Sequence, residues 1–218
     1  LDKPRPIHLT WQDRLTYHAD NEEITVLNAQ AQITESDEKG YRRSSVTGAR
    51  MTLHLSRETD VVDEADQELL GDRELDRMIV EGPGVEVFHH EYTEPNGPLL
   101  RPMHMRAPLL TFDNATERIT AVGAGWVEVS QHQAAGDDAQ KADDASVSNS
   151  FSNVFDSSGP SYMLVSFGQD MRFHPDHGIS FTGDVSLSHL PLGGDGRLDT
   201  DSLDGIVRID CRDFDIEL

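Results

Sequence analysis

The sequence predicts an all-β, antiparallel domain, and three observations carry that prediction. Apolar residues recur at every second position in one short segment after another, the period of a strand with one buried face. The segments are separated by clusters of Gly, Pro, Asn and Asp, the residues that turn a chain. A two-strand pattern also recurs along the chain, so repeated two-strand units build the domain.

The least interrupted unit runs from Ala107 to Val129. Leu110 and Phe112 share one face of its first strand, and Asp113-Asn114-Ala115-Thr116 forms a polar turn. Ile119, Ala121, Gly123, Gly125, Val127 and Val129 then alternate along a second strand. Gly123, inside that strand, reads as a kink and not as a ligand-binding glycine. The general template is a small or polar residue, apolar residues three and five positions later, a turn, an Ile, and a strand containing Gly or Asn.

The first copy has Gln12, Leu15 and Tyr17, a turn from His18 to Glu23, then Ile24, Val26 and Asn28. The second has Gly48, Met51 and Leu53, an insertion, then Ile79, Gly84, Val85 and Val87. The fourth has Gly168, Met171 and Phe173, a turn from His174 to Gly178, then Ile179, Phe181, Gly183, Val185 and Leu187. A fifth begins at Cys211, Phe214 and Ile216. The third and fourth copies align with one residue lost in the turn, where length changes cost least.

Short strands are expected between the copies. Ala31 to Thr34 and Ser45 to Leu55 flank a turn at Glu35 to Gly40. Val85 to Phe88 and Met103 to Ala107 flank Glu94-Pro95-Asn96-Gly97-Pro98, and Ile206 to Ile209 leads into the fifth copy. Two insertions interrupt the single domain spanning 1–218. Residues 57–77 are acidic, with Val62, Ala65, Leu69 and Leu70 able to form one side of a short helix ending at Gly71. Residues 132–161 are rich in Ala, Asp, Ser and Gly and are expected to be a flexible loop, docked in part by Phe151 and Phe155.

Composition narrows the function. Forty acidic and 18 basic residues give a net charge of −22. Such a chain repels nucleic acid and anionic membranes, so nucleic acid is not an expected partner. The single Cys211 excludes an internal disulfide and a cysteine zinc cluster, and its apolar neighbours suggest a buried, inert thiol. No apolar run approaches the roughly 18 residues that span a bilayer as a helix.

No cofactor, metal or catalytic residue is expected. His89 and His90 fall on opposite faces of a strand, and His174-Pro175-Asp176-His177 reads as a solvated turn. Met103 and Met105 share a face opposite His104, which favours packing over soft-metal binding. Residues 194–201 resemble half of a calcium loop but lack ligands at the required positions. No nucleophile elbow, phosphate loop or dinucleotide fingerprint is present.

The repeat resembles the OstA-like family of periplasmic lipopolysaccharide-transport domains (the LptA, LptC and LptD amino-terminal type). Phe181-Thr182-Gly183-Asp184-Val185 and Met78-Ile79-Val80-Glu81-Gly82 resemble one kind of family strand, and Arg14-Leu15-Thr16-Tyr17-His18 and Leu110-Thr111-Phe112-Asp113 the other. The long insertions, strong acidity and uneven unit lengths depart from the family pattern. The resemblance implies an antiparallel β-jellyroll, an open, folded-over slab whose interior holds acyl chains. It implies a glycolipid of the lipopolysaccharide kind as ligand, other OstA-like domains as partners through edge-strand pairing, and a periplasmic or envelope location. The chain is then expected to be part of a longer one, its signal peptide removed.

Physical argument agrees with such a slab, since a long sheet with one apolar face needs cover, which folding back supplies. The expected inward residues, lining either a lipid groove or a core, are Leu15, Tyr17, Ile24, Val26, Met51, Leu53, Val85, Val87, Leu110, Phe112, Ile119, Val127, Val129, Met171, Phe173, Ile179, Phe181, Val185 and Leu187. Burying a 14-carbon chain there contributes on the order of 10 kcal/mol, so no charged site is needed. A structural or protein-interaction repeat with a packed core would show the same residues, and a carbohydrate-active β-repeat enzyme is a third reading. In an open slot, Phe112→Asp or Phe181→Asp should abolish lipid binding without unfolding the domain.

Overall fold

The computed structural model describes residues 7–37, 40–56, 74–132, 160–193, 197 and 206–216. They form one twelve-stranded antiparallel sheet. In chain order the strands are β1 (Ile7–Trp11), β2 (Leu15–His18), β3 (Glu23–Asp37), β4 (Gly40–Ser56), β5 (Glu74–Tyr92), β6 (Leu99–Asp113), β7 (Arg118–Val122), β8 (Gly125–Gln131), β9 (Ser161–Phe167), β10 (Asp170–His174), β11 (Gly178–Pro191) and β12 (Val207–Ile216). The expected helix on Val62, Ala65, Leu69 and Leu70, the docking of Phe151 and Phe155, and most of the 194–201 loop lie outside the described residues.

Several of these strands are halves of longer ones. β1 and β2 both pair with β3, through Trp11↔Ala29 and Leu15↔Val26 on either side of a bend. β7 and β8 both pair with β6, and β10 and β9 both pair with β11. Joined this way, the strands form a meander of bent ribbons, each beside its neighbour in sequence.

The bends line up in a column across the sheet. They fall at Asn28, between Thr47 and Arg50, between Glu81 and Val85, at Gly123 and Ala124, at Gly168 and Gln169, and between Thr182 and Val185. Left-handed backbone at Asn28 (φ 49°), Gly123 (φ 93°) and Gly183 (φ 78°) makes the turn of direction at three of them. Asn and Gly tolerate that region best. At Gly48 the constraint is space: a Cβ there would lie 2.3 Å from Cγ1 of Val80. The kink expected at Gly123 is therefore one member of a column that runs across the whole sheet.

Folding along this column gives two facing arms. The short arm carries two inward rows, each crossing all nine bent strands. One is Leu15, Val26, Met51, Val80, Leu110, Ala121, Met171, Phe181 and Phe214. The other is Tyr17, Ile24, Leu53, Met78, Phe112, Ile119, Phe173, Ile179 and Ile216. On the long arm, Leu9, Ala31, Val46, Val87, Met105, Val127, Val165, Leu187 and Ile209 form a matching row. Both arms contribute to a single hydrophobic core, which makes the molecule a folded-over β-jellyroll.

The repeat seen in the sequence now has a structural meaning. Each copy starts at one bend, crosses the short arm, turns, returns, and ends at the next bend. The short arm is thus a series of hairpins with near-identical patterning. The Asp113 to Thr116 turn shows how such a hairpin closes: the Asp113 carboxylate accepts from the Thr116 amide (3.0 Å) and hydroxyl (2.6 Å). These bonds, chiefly the hydroxyl, hold the Asp113 carboxyl below its ordinary pKa, with Arg77 adding to them.

Three expectations need correction. Strands β3 to β6 and β11 are long and bent instead of short: β3, β4 and β5 have 15, 17 and 19 residues. Pairing of β3 with β4 continues to Asp37↔Gly40, so most of the turn expected at Glu35 to Gly40 is strand. In the second copy, Met78 and Val80 face the core, while Ile79 lies opposite Thr52 and Thr111 on the outer face. The copy is one residue out of step on this side of the bend only: beyond the extra residues at Gly82 to Gly84, Val85 is buried and Val87 packs on the core, as expected.

Candidate functional site: the folded interior and its edges

The interior follows directly from the rows. Of the expected inward residues, Ile24, Val26, Met51, Leu53, Val85, Leu110, Val127, Val129, Met171, Phe173, Ile179, Phe181, Val185 and Leu187 are buried in the core. Tyr17, Val87, Phe112 and Ile119 are partly buried and pack against it. Leu15 departs from the expectation: it faces inward opposite Val26 but is 41% exposed. Among the described residues its strand, β2, pairs with β3 alone.

The sequence template missed Ala29, Ala31, Val46, Ala107, Val165 and Phe167, which are also buried. They sit on the long arm, which the template reached through Val85, Val87, Val127, Val129, Val185 and Leu187 but did not cover on every strand. Period-2 alternation through Val165 and Phe167 was the available signal. The middle of the interior is closed to solvent: Val26, Met51, Val80, Val165, Met171 and Phe181 are all 0% exposed.

Apart from Val122 on β7, the exposed large apolar side chains among the described residues gather where the sheet ends. Trp11 (47%) and Leu15 lie on the β1/β2 edge, and Val207 (46%) and Ile209 (37%) on the β12 edge. By register all four face inward. Among the described residues the core therefore runs out to solvent at both edges, beside strand backbone that has no partner there. Cys211, next along β12, is partly exposed and packs on the core.

Polarity rises toward the rim of the long arm. Its next row includes Ile33, Ser44, His89, Met103, Val129, Met163 and His189. Beyond it stand Glu35, Arg42, Glu91 and Arg101, in register on four adjacent strands. Arg42 lies 3.8 Å from Glu35, and Arg101 lies 3.9 Å from Glu91. Alternating charges on neighbouring strands pair across the sheet.

Ser44 Oγ is 2.8 Å from His89 Nδ1, and His89 Nε2 is 3.3 Å from Glu91 Oε1. The set looks like a hydrolytic triad but lacks what makes a triad work. β4 is paired on both sides, with Ser44 opposite Ile33 and His89, so the amides around it are taken up in the ladder. The β4 amides beside Ser44 are therefore not available as oxyanion donors.

Among the described residues no group of three or more His, Cys, Asp or Glu side chains is placed to hold a metal. The His174 and His177 rings lie 4.5 Å apart in their turn. Met103 and Met105 are buried, whereas His104 faces outward, stacked on Phe88 at 4.0 Å and edge-on to Trp126 at 4.6 Å. Burial, then the nearby His89, Arg43 and His104 charges, push the His90 pKa below its ordinary value. No helix of the described residues is long and apolar enough to cross a membrane.

No family model matches the chain, and no curated protein matches it in sequence. A solved structure that does match is the crystal structure of LptH, the LptA homologous periplasmic component of the conserved lipopolysaccharide transport device from Pseudomonas aeruginosa. The identity is 8% and the TM-score 0.43, over 94% of each chain. A superposition at that level carries no argument, so fold and function rest on the chain's own geometry.

Proposed function

We propose that this is a non-enzymatic module of the cell envelope that binds or conducts the lipid part of a lipopolysaccharide-like glycolipid as one segment of a periplasmic bridge. The observation that carries the reading is the apolar interior running to solvent at both open edges. Unpaired edges template pairing with another strand, and exposed inward apolar groups beside them would continue the interior into the next module. The OstA-like pattern of the repeat supports the same reading.

A second reading, a structural or interaction module with a packed core, is favoured by the complete burial of Phe181 and its neighbours. Spin labels at Glu94 and Ala115, in the terminal turns of the two arms, distinguish the two in a Cys211→Ser background. With lipopolysaccharide added, a conducting module should show the labels moving apart and should take up cis-parinaric acid saturably. Unchanged label distances together with no probe uptake would leave the packed module as the correct reading.

A further inference from the structure

We propose that the outer face at the bend, between Arg106 and Trp126, binds a sugar ring carrying an anionic group. This surface lies outside the folded interior, so the proposal goes beyond the lipid reading and stands or falls separately. A depression of about 230 Å³ is lined there by Pro83, Gly84, Arg106, Pro108, Gly125 and Trp126, among others. It is smaller than the roughly 300–1,000 Å³ of sites for drug-sized ligands and suits a single six-membered ring.

The arginine is placed in a particular way. Glu86 stands directly opposite Arg106 in the β5–β6 register. In a chain with 40 acidic residues, that carboxylate is the expected partner of the guanidinium. The guanidinium lies instead over Gly84, where a Cβ would come 2.6 Å from its Nε and Nη2 and 3.0 Å from Cζ. Only a glycine admits that approach. The result is an exposed, planar, five-donor cation beside an aromatic ring.

The indole is held as well. Trp126 meets the His104 ring edge-on at 84°, and His104 is stacked on Phe88 at an interplanar angle of 18°. A ring fixed before binding costs little entropy on binding. Indole and proline surfaces accept the C–H face of a pyranose, and the guanidinium pairs bidentately with a carboxylate or phosphate. Glu86, left without the arginine, can accept from sugar hydroxyls. Free phosphate has neither the ring face nor the sugar hydroxyls to set against repulsion by Glu86, so the combination favours an acidic sugar over the bare anion.

The chain has two tryptophans, Trp11 and Trp126, so Trp11→Phe leaves Trp126 as the sole reporter. Its emission is titrated with glucuronic acid, glucose 1-phosphate, methyl glucoside and inorganic phosphate. Saturable responses to the two acidic sugars are expected, with methyl glucoside and phosphate at least about tenfold weaker. Arg106→Gln should abolish the response. Gly84→Val, which displaces the guanidinium, should weaken it about tenfold or more while the unfolding temperature of the Arg106 variant stays at that of the parent. Phosphate binding as tightly as the sugars, or no saturable response to any probe, overturns the proposal. Deacylated lipopolysaccharide and polygalacturonate then separate the sources: saturation by either supports the site and identifies where its ligand originates.

Discussion

Gly48 and Gly183 show two different reasons for a glycine in one column of bends. Gly183 needs its backbone angle, and Gly48 needs its missing side chain, because Val80 occupies the space. Gly48→Ala should therefore destabilise the domain by about 1–3 kcal/mol, the usual cost of overfilling a core. Denaturant unfolding measures this directly, and an unchanged midpoint would mean that Val80 simply moves aside. Phe181 teaches a related lesson. At 0% exposure, packed against Phe167 and Phe214 with ring centroids 5.8 and 6.5 Å away, it cannot take a charge without loss of the fold. Unfolding by Phe181→Asp is what a packed repeat predicts and loss of binding alone what an open slot predicts, and the partly buried Phe112 is the position where the two outcomes separate most cleanly.

The strands divide into those the sequence made legible and those it did not. Short-arm hairpins were legible because their apolar pairs, polar turns and isoleucines recur with the same spacing. Ile24, Ile119 and Ile179 fall in a single row as a result. Long-arm strands were less legible, since their small residues, Ala29, Ala31 and Ala107, give weak alternation, and Ala or Gly near a bend can be inward without looking apolar. The Arg106 site was invisible for another reason. It depends on Gly84 and Glu86 lying across from a residue about twenty positions further on, a register that no spacing rule supplies. The edge strands carry their own prediction. Leu15→Lys with Ile209→Lys puts charge on both exposed ends of the interior, where burial is incomplete and the folding cost is small. If the modules associate edge to edge, sedimentation should show the double variant shifted toward monomer relative to the parent. A parent that is monomeric at all concentrations would remove edge association from the account.

At the scale of the molecule, a net charge of −22 sits on a slab only two layers thick. Self-repulsion destabilises the compact state, while exposed ion pairs such as Arg50–Glu81 and Arg208–Asp210 contribute about 0–1 kcal/mol each. Salt weakens both effects, and with so large an excess of one sign the repulsion dominates. The unfolding temperature should therefore rise between about 0.01 and 1 M salt, over which the Debye length falls from about 30 to about 3 Å. A fall over the same range would show that specific pairs matter more than the net field.

The meander has one more consequence, in the order of assembly. Each bent strand pairs with the one made just before it, so a chain emerging from the ribosome at about 5–20 residues per second can add ribbons one at a time. No strand waits for a distant partner. At every stage of that growth the newest ribbon is an open template, and among the described residues β12, carrying Val207 and Ile209, is paired on its β11 side. A neighbouring strand added beside β12 would extend the sheet in the same direction in which synthesis adds ribbons.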